Sequence, residues 1–240
     1  TGAGTDVLSG FEVYLSGSGD DTFIVHDVAA NNTLNGGGGI DTADYSSDAN
    51  DLTVDLSGTD SVTGTGIGTD ILSSIEVIKT GSGADELTGS TGNDTFFGGA
   101  GADTFHGTGG ADILNGEGGA DVFNGADAAG NDTFLGGGAV DTADYSADSN
   151  DLVVDFSGTD SVTGTGIGTD KLDSVEVVNL GTGNDTFING ASNDTISAGA
   201  GQDVADYDAE TADMTYNLST GAVTGAGTDV LSGFEVYLSG

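Results

Sequence analysis

The stretch that decides the fold is Gly81–Asn124, which reads GSGADELTGSTGNDTFFGGAGADTFHGTGGADILNGEGGADVFN. An Asp recurs at every ninth position, and one apolar residue stands two places after each Asp. The Gly-rich segment before each Asp predicts a tight turn, which leaves room for only a three-residue strand before the next turn. The central side chain of such a strand points inward, so we expect the core to contain Leu87, Phe96, Phe105, Leu114 and Phe123.

The acidic position repeats along much of the chain. The longest run is Asp85, Asp94, Asp103, Asp112 and Asp121, and it continues with Asp132 after eleven residues and Asp141 after nine. Shorter runs lie at Asp185, Asp194 and Asp203, and at Asp21, Asn32 and Asp41. Repetition at this scale indicates a stacked architecture in which each short unit packs on its neighbours.

Charge is the second strong feature of the composition. Asp and Glu number 40 against 2 Lys and Arg, so the formal net charge is -38 over 240 residues, with 45 Gly and no Cys. Such a chain either stays disordered or binds cations that neutralise its carboxylates. Nucleic acids and anionic membrane surfaces would be repelled, which excludes both as partners. No apolar run approaches the roughly 18 residues of a membrane span.

A much longer repeat is superimposed on the short one. Residues Thr1–Gly17 recur unchanged as Thr224–Gly240, which defines a unit of 223 residues. Within the unit, Ser57–Asp70 reappears as Ser157–Asp170. We interpret the chain as one unit of a tandem array, built from three related blocks and followed by an overlap of 17 residues.

The nonapeptides resemble the repeats-in-toxin (RTX, hemolysin-type) calcium-binding family, whose consensus is G-G-x-G-x-D-x-U-x. The segment Gly98–His106, GGAGADTFH, fits every position of that consensus. The resemblance implies an all-β fold, a right-handed parallel β-roll or β-solenoid. Two nonapeptides form each coil in this family, and calcium ions bind in the turns between coils.

On that geometry, positions 18 residues apart stack, so Asp85, Asp103 and Asp121 form one ladder and Asp94 and Asp112 the other. Carboxylates and glycine carbonyls supply the oxygen ligands that calcium prefers. The expected ligands are Asp21, Asp41, Asp85, Asp94, Asp103, Asp112, Asp121, Asp132, Asp141, Asp185, Asp194, Asp203, Gly81, Gly83, Gly99, Gly101, Gly110, Gly119, Gly183 and Gly201. Glu12, Glu76 and Glu176 occupy the Asp phase and are either further ligands or solvated edge residues.

We expect one continuous elongated solenoid over residues 1–240. Residues 1–44 form the end of a block and contain a short calcium run, residues 80–144 a long nonapeptide calcium roll, and residues 181–206 a short one. Segments predicted to form wider coils occupy 45–79, 145–180 and 207–240. Alternating stretches in the wider segments, such as LTVDL from Leu52 and LVVDF from Leu152, indicate half-buried strands.

No catalytic arrangement emerges around His26 and His106, the only histidines, so we do not expect an enzyme. We expect a structural repeat that folds on binding calcium and forms a stiff rod in a giant adhesin, filament, surface-layer or matrix protein. Its location would be extracellular or on a bacterial cell surface, with further copies of the repeat as partners, in tandem or head to tail. The alternative is the calcium-folding tail of a secreted enzyme or toxin, which a catalytic domain in the parent polypeptide would reveal.

Overall fold

The structure, a computed structural model, describes residues 5–6, 13–26, 30–126, 130–225 and 227–239. All regular elements within these ranges are β-strands, and they include no helix suited by length and apolarity to cross a bilayer. The strands are β1 Thr5–Asp6, β2 Val13–Leu15, β3 Thr22–Ile24, β4 Thr33–Asn35, β5 Thr42–Asp44, β6 Leu52–Asp55, β7 Ser61–Gly64, β8 Gly68–Ser73, β9 Val77–Lys79, β10 Glu86–Thr88, β11 Thr95–Phe97, β12 Thr104–His106, β13 Ile113–Asn115, β14 Val122–Asn124, β15 Thr133–Leu135, β16 Thr142–Asp144, β17 Leu152–Asp155, β18 Ser161–Gly164, β19 Gly168–Asp173, β20 Val177–Asn179, β21 Thr186–Ile188, β22 Thr195–Ser197, β23 Val204–Tyr207, β24 Thr215–Asn217, β25 Ala222–Thr224, β26 Thr228–Ser232 and β27 Val236–Ser239.

Two long sheets enclose a single core. In the described part of the chain, sheet A has 13 strands in the order β1-β3-β5-β9-β11-β13-β15-β19-β18-β17-β21-β23-β27. Over the same residues, sheet B has 14 strands in the order β2-β4-β8-β7-β6-β10-β12-β14-β16-β20-β22-β26-β25-β24. Through the nonapeptide runs the chain crosses from one sheet to the other after every strand, and all neighbours there pair in parallel. The all-β, mostly parallel β-roll expected from the sequence is confirmed.

The three-residue strands place one side chain inside and two outside. In β11, Phe96 is completely buried, while Thr95 and Phe97 on either side of it are half-buried. The inward residues align across strands, so Phe96 pairs with Leu114 in sheet A and Leu87 pairs with Phe105 in sheet B. All five residues assigned to the core from the nonapeptide pattern are 0% exposed. This part of the sequence prediction is confirmed.

The segments expected to form wider coils are built differently. In the first of them, β6, β7 and β8 form an antiparallel meander within sheet B, with Val54 opposite Val62 and Val62 opposite Asp70. The chain therefore reverses twice in one sheet before it crosses to the other. Strands β17–β19 repeat this meander in sheet A, and β24–β26 repeat it in sheet B. In sheet A, Thr42 pairs in parallel with Val77, 35 residues later, so this coil contains more residues than a nonapeptide coil and includes the meander. The alternation did mark half-buried strands correctly.

Candidate calcium sites

The acidic residues of the nonapeptides stack in two ladders along the edges of the roll. We define a ladder as a column of acidic side chains in which a carboxylate oxygen accepts the main-chain N–H of the ladder residue one coil earlier. Asp85 N–H donates to Asp103 Oδ1 at 2.8 Å, and Asp103 N–H donates to Asp121 Oδ1 at 2.9 Å. On the other edge Asp94 N–H donates to Asp112 Oδ1 at 2.8 Å. The two ladders expected from the 18-residue offset are confirmed.

The same contact continues beyond the strict nonapeptide run. It joins Asp112 to Asp132, Asp121 to Asp141, Asp185 to Asp203 and Asp21 to Asp41, with donor–acceptor distances of 2.7–2.8 Å. The first two of these pairs and the last are 20 residues apart instead of 18, so a loop with two additional residues still brings the acidic side chain into the ladder.

Glutamate replaces aspartate in the ladder where a meander rejoins the roll. Asp41 N–H donates to Glu76 Oε2 at 2.9 Å, and Asp141 N–H donates to Glu176 Oε2 at 2.9 Å. Glu12 lies outside the described residues, but its counterpart Glu235 accepts the N–H of Asp203 at 2.8 Å. These Glu residues hold the Asp phase as expected. In these contacts each Glu carboxylate accepts a main-chain N–H and so stabilises the edge of the roll.

Sequence reasoning missed a second set of ladder carboxylates, which lie in the meanders. Asp170 Oδ1 accepts the N–H of Asp132 at 3.0 Å, and Asp170 Oδ2 accepts the hydroxyl of buried Tyr145 at 2.8 Å. The same arrangement joins Asp70 to Tyr45 and Asp229 to Tyr207, at 3.0 and 2.7 Å. A sequence signal for these carboxylates does exist, because the Tyr of each D-Y-S or D-Y-D motif is followed 22 or 25 residues later by the Asp that it contacts.

Many ladder carboxylates keep one oxygen without a hydrogen bond, although it is buried. Among the residues that the structure describes, no hydrogen-bond partner reaches Oδ2 of Asp41, Asp103, Asp112, Asp121, Asp141, Asp185, Asp194 and Asp203. Asp94 differs, because its Oδ2 accepts the main-chain N–H of Ser90 at 2.8 Å. A buried anionic oxygen without a donor is costly, which makes these atoms strong candidates for cation binding.

The cost of these buried charges appears in their pKa values. Loss of hydration, with a smaller contribution from neighbouring ladder charges, raises the pKa of Asp103 and Asp112 to about 7. The pKa of Asp194 also rises to about 7, through burial first and the charge of Asp229 second. Without a bound cation, the folded ladder therefore favours protonated carboxyl groups at positions where an unfolded chain is ionised.

Glycines of the turn that precedes each Asp lie beside these oxygens, since a Cβ at Gly98, Gly107 or Gly116 would lie closer than 3.0 Å to Oδ2 of the Asp five residues later. Gly99 and Gly101 adopt φ of +94° and +154°, and a Cβ at either would lie closer than 3.0 Å to a carbonyl oxygen of the turn one coil earlier. The same close approach to a main-chain oxygen of the preceding coil holds for all the predicted glycines, namely Gly81, Gly83, Gly99, Gly101, Gly110, Gly119, Gly183 and Gly201. The turns are thus stacked closely enough for carbonyl oxygens of successive coils to lie near one another at the edge of the roll.

The loop before each of the first two meanders extends the same edge without a nonapeptide. The carbonyls of Asp48 and Asn50 approach Gly81 and Gly83 as the carbonyls of one nonapeptide turn approach the next. Leu52 N–H donates to Asp85 Oδ1 at 2.7 Å, so a leucine occupies the ladder position there. The nine-residue spacing could not reveal this coil, because Leu52 replaces the Asp that marks the register.

The donor set fits calcium. In the part of the chain that the structure describes, no three Asp, Glu or His side chains converge on one point. A cation in these edges would therefore combine a carboxylate Oδ2 with main-chain carbonyls rather than a cluster of side chains. Calcium is a hard cation that accepts six to eight oxygens, including carbonyls, in irregular geometry.

Comparison with protein families agrees with this chemistry. The profile of the RTX calcium-binding nonapeptide repeat matches residues 28–44, 72–105, 79–113, 97–127, 106–143 and 173–209. Together these matches cover slightly more than half of the chain. No curated protein matches the chain. On the ladders, the stacked turns and this profile, the chain belongs to the RTX calcium-binding nonapeptide repeat family and is a calcium-binding repeat domain.

Proposed function

We propose that this domain is a structural rod that folds on binding calcium, within a secreted bacterial adhesin, filament, surface layer or matrix protein. The observation that supports this most directly is the rows of buried Oδ2 oxygens without hydrogen bonds along both edges of the roll. A row of anionic oxygens at every coil needs a cation at every coil, so the whole length of the roll depends on calcium.

The energetic argument starts from the spacing of the ladder charges. Neighbouring strands in a sheet lie about 4.8 Å apart. Two like charges at that distance repel by about 1 kcal/mol in bulk water and by about 3–4 kcal/mol at the effective dielectric of a protein surface. A few such pairs equal the total stability of a typical domain, about 5–15 kcal/mol. Calcium binding and folding are therefore one coupled process in this proposal.

The proposed ligands are the residues expected from the nonapeptide pattern. Oδ2 of the ladder aspartates supplies the charge, and carbonyl oxygens of the stacked glycine turns complete the shell. The carbonyls of Asp48 and Asn50 are additional candidates, because they occupy the same edge position as the glycine carbonyls. Magnesium should substitute poorly, since it requires a stricter octahedron and shorter bonds.

The structural role rests on the repetition of one motif. Along the nonapeptide runs both sheets are built from the same three-residue strand, and one type of antiparallel meander recurs three times between these runs in the described residues. His26 is exposed and contacts Ser47, and His106 lies on the outward side of β12 beside Asn124. Neither histidine lies on a ladder. A domain that repeats a single cation-binding motif is suited to span distance rather than to form one reactive centre.

Two considerations, the family and the calcium requirement, support the proposal of secretion. RTX repeats typically occur in secreted bacterial proteins. A chain with 40 acidic residues and almost no basic ones would stay unfolded where calcium is scarce and would fold where calcium is abundant. We therefore propose that folding occurs outside the cell.

The test is a calcium titration followed by far-UV circular dichroism. The chain should be largely disordered in chelator and gain β-structure at millimolar calcium, with magnesium much less effective. Asp103→Asn should raise the calcium midpoint, because an amide keeps the acceptor for Asp85 N–H but replaces the charged Oδ2. The matched control is Asp55→Asn, whose carboxylate accepts the N–H of Ser57 in an exposed turn, and it should leave the midpoint almost unchanged.

Two results would contradict the proposal. One is β-structure that persists at pH 7.5 in excess chelator after exhaustive removal of metal. The other is an equal shift of the calcium midpoint in the Asp103 and Asp55 variants, since a general effect of net charge would then explain the titration without any site.

A further inference from the structure

The third meander leaves an edge open that the first two meanders close. In the first, β6 pairs in parallel with β10, and Thr53 lies opposite Glu86. In the second, β17 pairs in the same way with β21, and Val153 lies opposite Thr186. The corresponding strand β24 is the terminal strand of sheet B. Within the described residues, no nonapeptide strand pairs with the outer edge of β24.

The open edge exposes apolar side chains that are buried in the other two meanders. Leu218 is 74% exposed, whereas its counterparts Leu56 and Phe156 are 6% and 7% exposed. Tyr216 is only partly buried and packs edge-on against Tyr237, with ring centroids 5.5 Å apart. We call Tyr216, Leu218 and Tyr237 the end surface.

Identical sequences at the two ends of the chain lie in opposite sheets. Strand β1 at Thr5–Asp6 belongs to sheet A, whereas Thr228 and Asp229, which have the same sequence, lie in β26 of sheet B. Likewise β2 lies in sheet B and the equivalent β27 in sheet A. One repeat of 223 residues therefore crosses between the sheets an odd number of times.

We propose that a second copy of this repeat covers the end surface and adds its Thr22–Ile24 strand in parallel to β24. The register follows from the first meander and places Thr215 opposite Thr22, Tyr216 opposite Phe23 and Asn217 opposite Ile24. This inference rests on the proposed rod function and specifies how successive repeats join. In the structure β1 pairs with β3, so β24 of the preceding copy takes the place of β1 at the junction.

The junction has a geometric consequence. The strand Thr22–Ile24 lies in sheet A within its own copy, but β24 belongs to sheet B. Sheet B of one copy therefore continues as sheet A of the next, and the structural period is two repeats. Each repeat adds the paired strands of two meanders to one sheet and of one meander to the other. Because the two sheets exchange at every junction, the sheet that gains two meanders in one repeat gains one meander in the next. Both sheets therefore gain the same number of strands along the array.

Cross-linking in a two-repeat chain, residues 1–240 followed by 18–240, tests the junction. The natural sequence has no Cys, so an introduced pair is the only pair. The first variant carries Thr215→Cys in the first repeat and Thr22→Cys in the second. The second variant replaces Thr215→Cys by Thr228→Cys, because Thr228 corresponds to Thr5, which lies opposite Thr22 in β1–β3. A reference variant pairs Thr53→Cys with Glu86→Cys inside one repeat.

A thiol cross-linker too short to span more than two strands is added in saturating calcium. The Thr215 pair should react as fully as the reference pair, and the Thr228 pair should react several-fold less, since three strand spacings of about 4.8 Å would separate it. Reaction of the Thr228 pair instead, or of neither pair while the reference reacts, would overturn the proposed junction and leave the calcium-dependent fold intact. Failure of the reference together with absent β-structure in calcium would refute the proposed function itself.

Discussion

The two adjacent phenylalanines of β11 provide a sharp test of the interior. Phe96 is 0% exposed and lies between the sheets, whereas Phe97 points outward with its ring 5.2 Å from the Nζ of Lys79. Replacing Phe96 by Ala removes a large buried ring from a close-packed core, which typically costs about 3–5 kcal/mol. Replacing Phe97 by Ala removes a partly exposed ring and a cation–π contact worth about 0.5–1 kcal/mol.

Both variants have the same change in composition, net charge and strand propensity, so each is the control for the other. Urea unfolding at one saturating calcium concentration, followed by circular dichroism, measures the difference in free energy of unfolding. We expect a gap of at least about 2 kcal/mol between them. An equal loss in the two variants, or a larger loss for Phe97→Ala, would refute the inward and outward assignment and with it the position of the neighbouring ladders.

Three further predictions concern the turns, the buried carboxylates and the meanders. Gly101→Ala should destabilise the calcium-bound roll by about 1–3 kcal/mol, because Gly101 has a φ of +154° and lies close to the Gly83 carbonyl. Gly58→Ala, the control, places its methyl group in open space and should be nearly neutral in the same urea assay. In chelator, lowering the pH from 8 to 5 should increase β-structure. The pKa of Asp103 is about 7 in the folded state and about 4 in the unfolded state, so the folded state binds more protons in that pH window and is stabilised by acidification. A β signal that falls on acidification would contradict this. Tyr145→Phe should cost about 1–3 kcal/mol by removing the hydroxyl donor to Asp170, whereas Tyr216→Phe removes a buried hydroxyl that has no partner among the described residues and should leave thermal stability unchanged or raise it.

Much of the calcium roll follows from local sequence alone. The nine-residue period determines which Asp residues share an edge, and the place two after each Asp determines the inward side chain. Phe96 and Phe97 are chemically identical, yet the register assigns one to the core and the other to the surface, as the structure shows. Local sequence suffices here because turn, ladder position and strand all lie within nine residues, and each coil repeats the same contacts with the next.

Only the tertiary structure decided the meanders, the Tyr145–Asp170 contact and the exchange of sheets. An alternating strand such as Leu152–Asp155 has the same pattern in a parallel coil and in an antiparallel meander, because side chains alternate with a period of two in both. Its direction depends on which sheet edge remains open when it packs. Tyr145 and Asp170 are 25 residues apart and meet only after the chain has reversed twice. The sheet to which a repeat returns depends on the total number of crossings, a property of the whole chain that no local window contains.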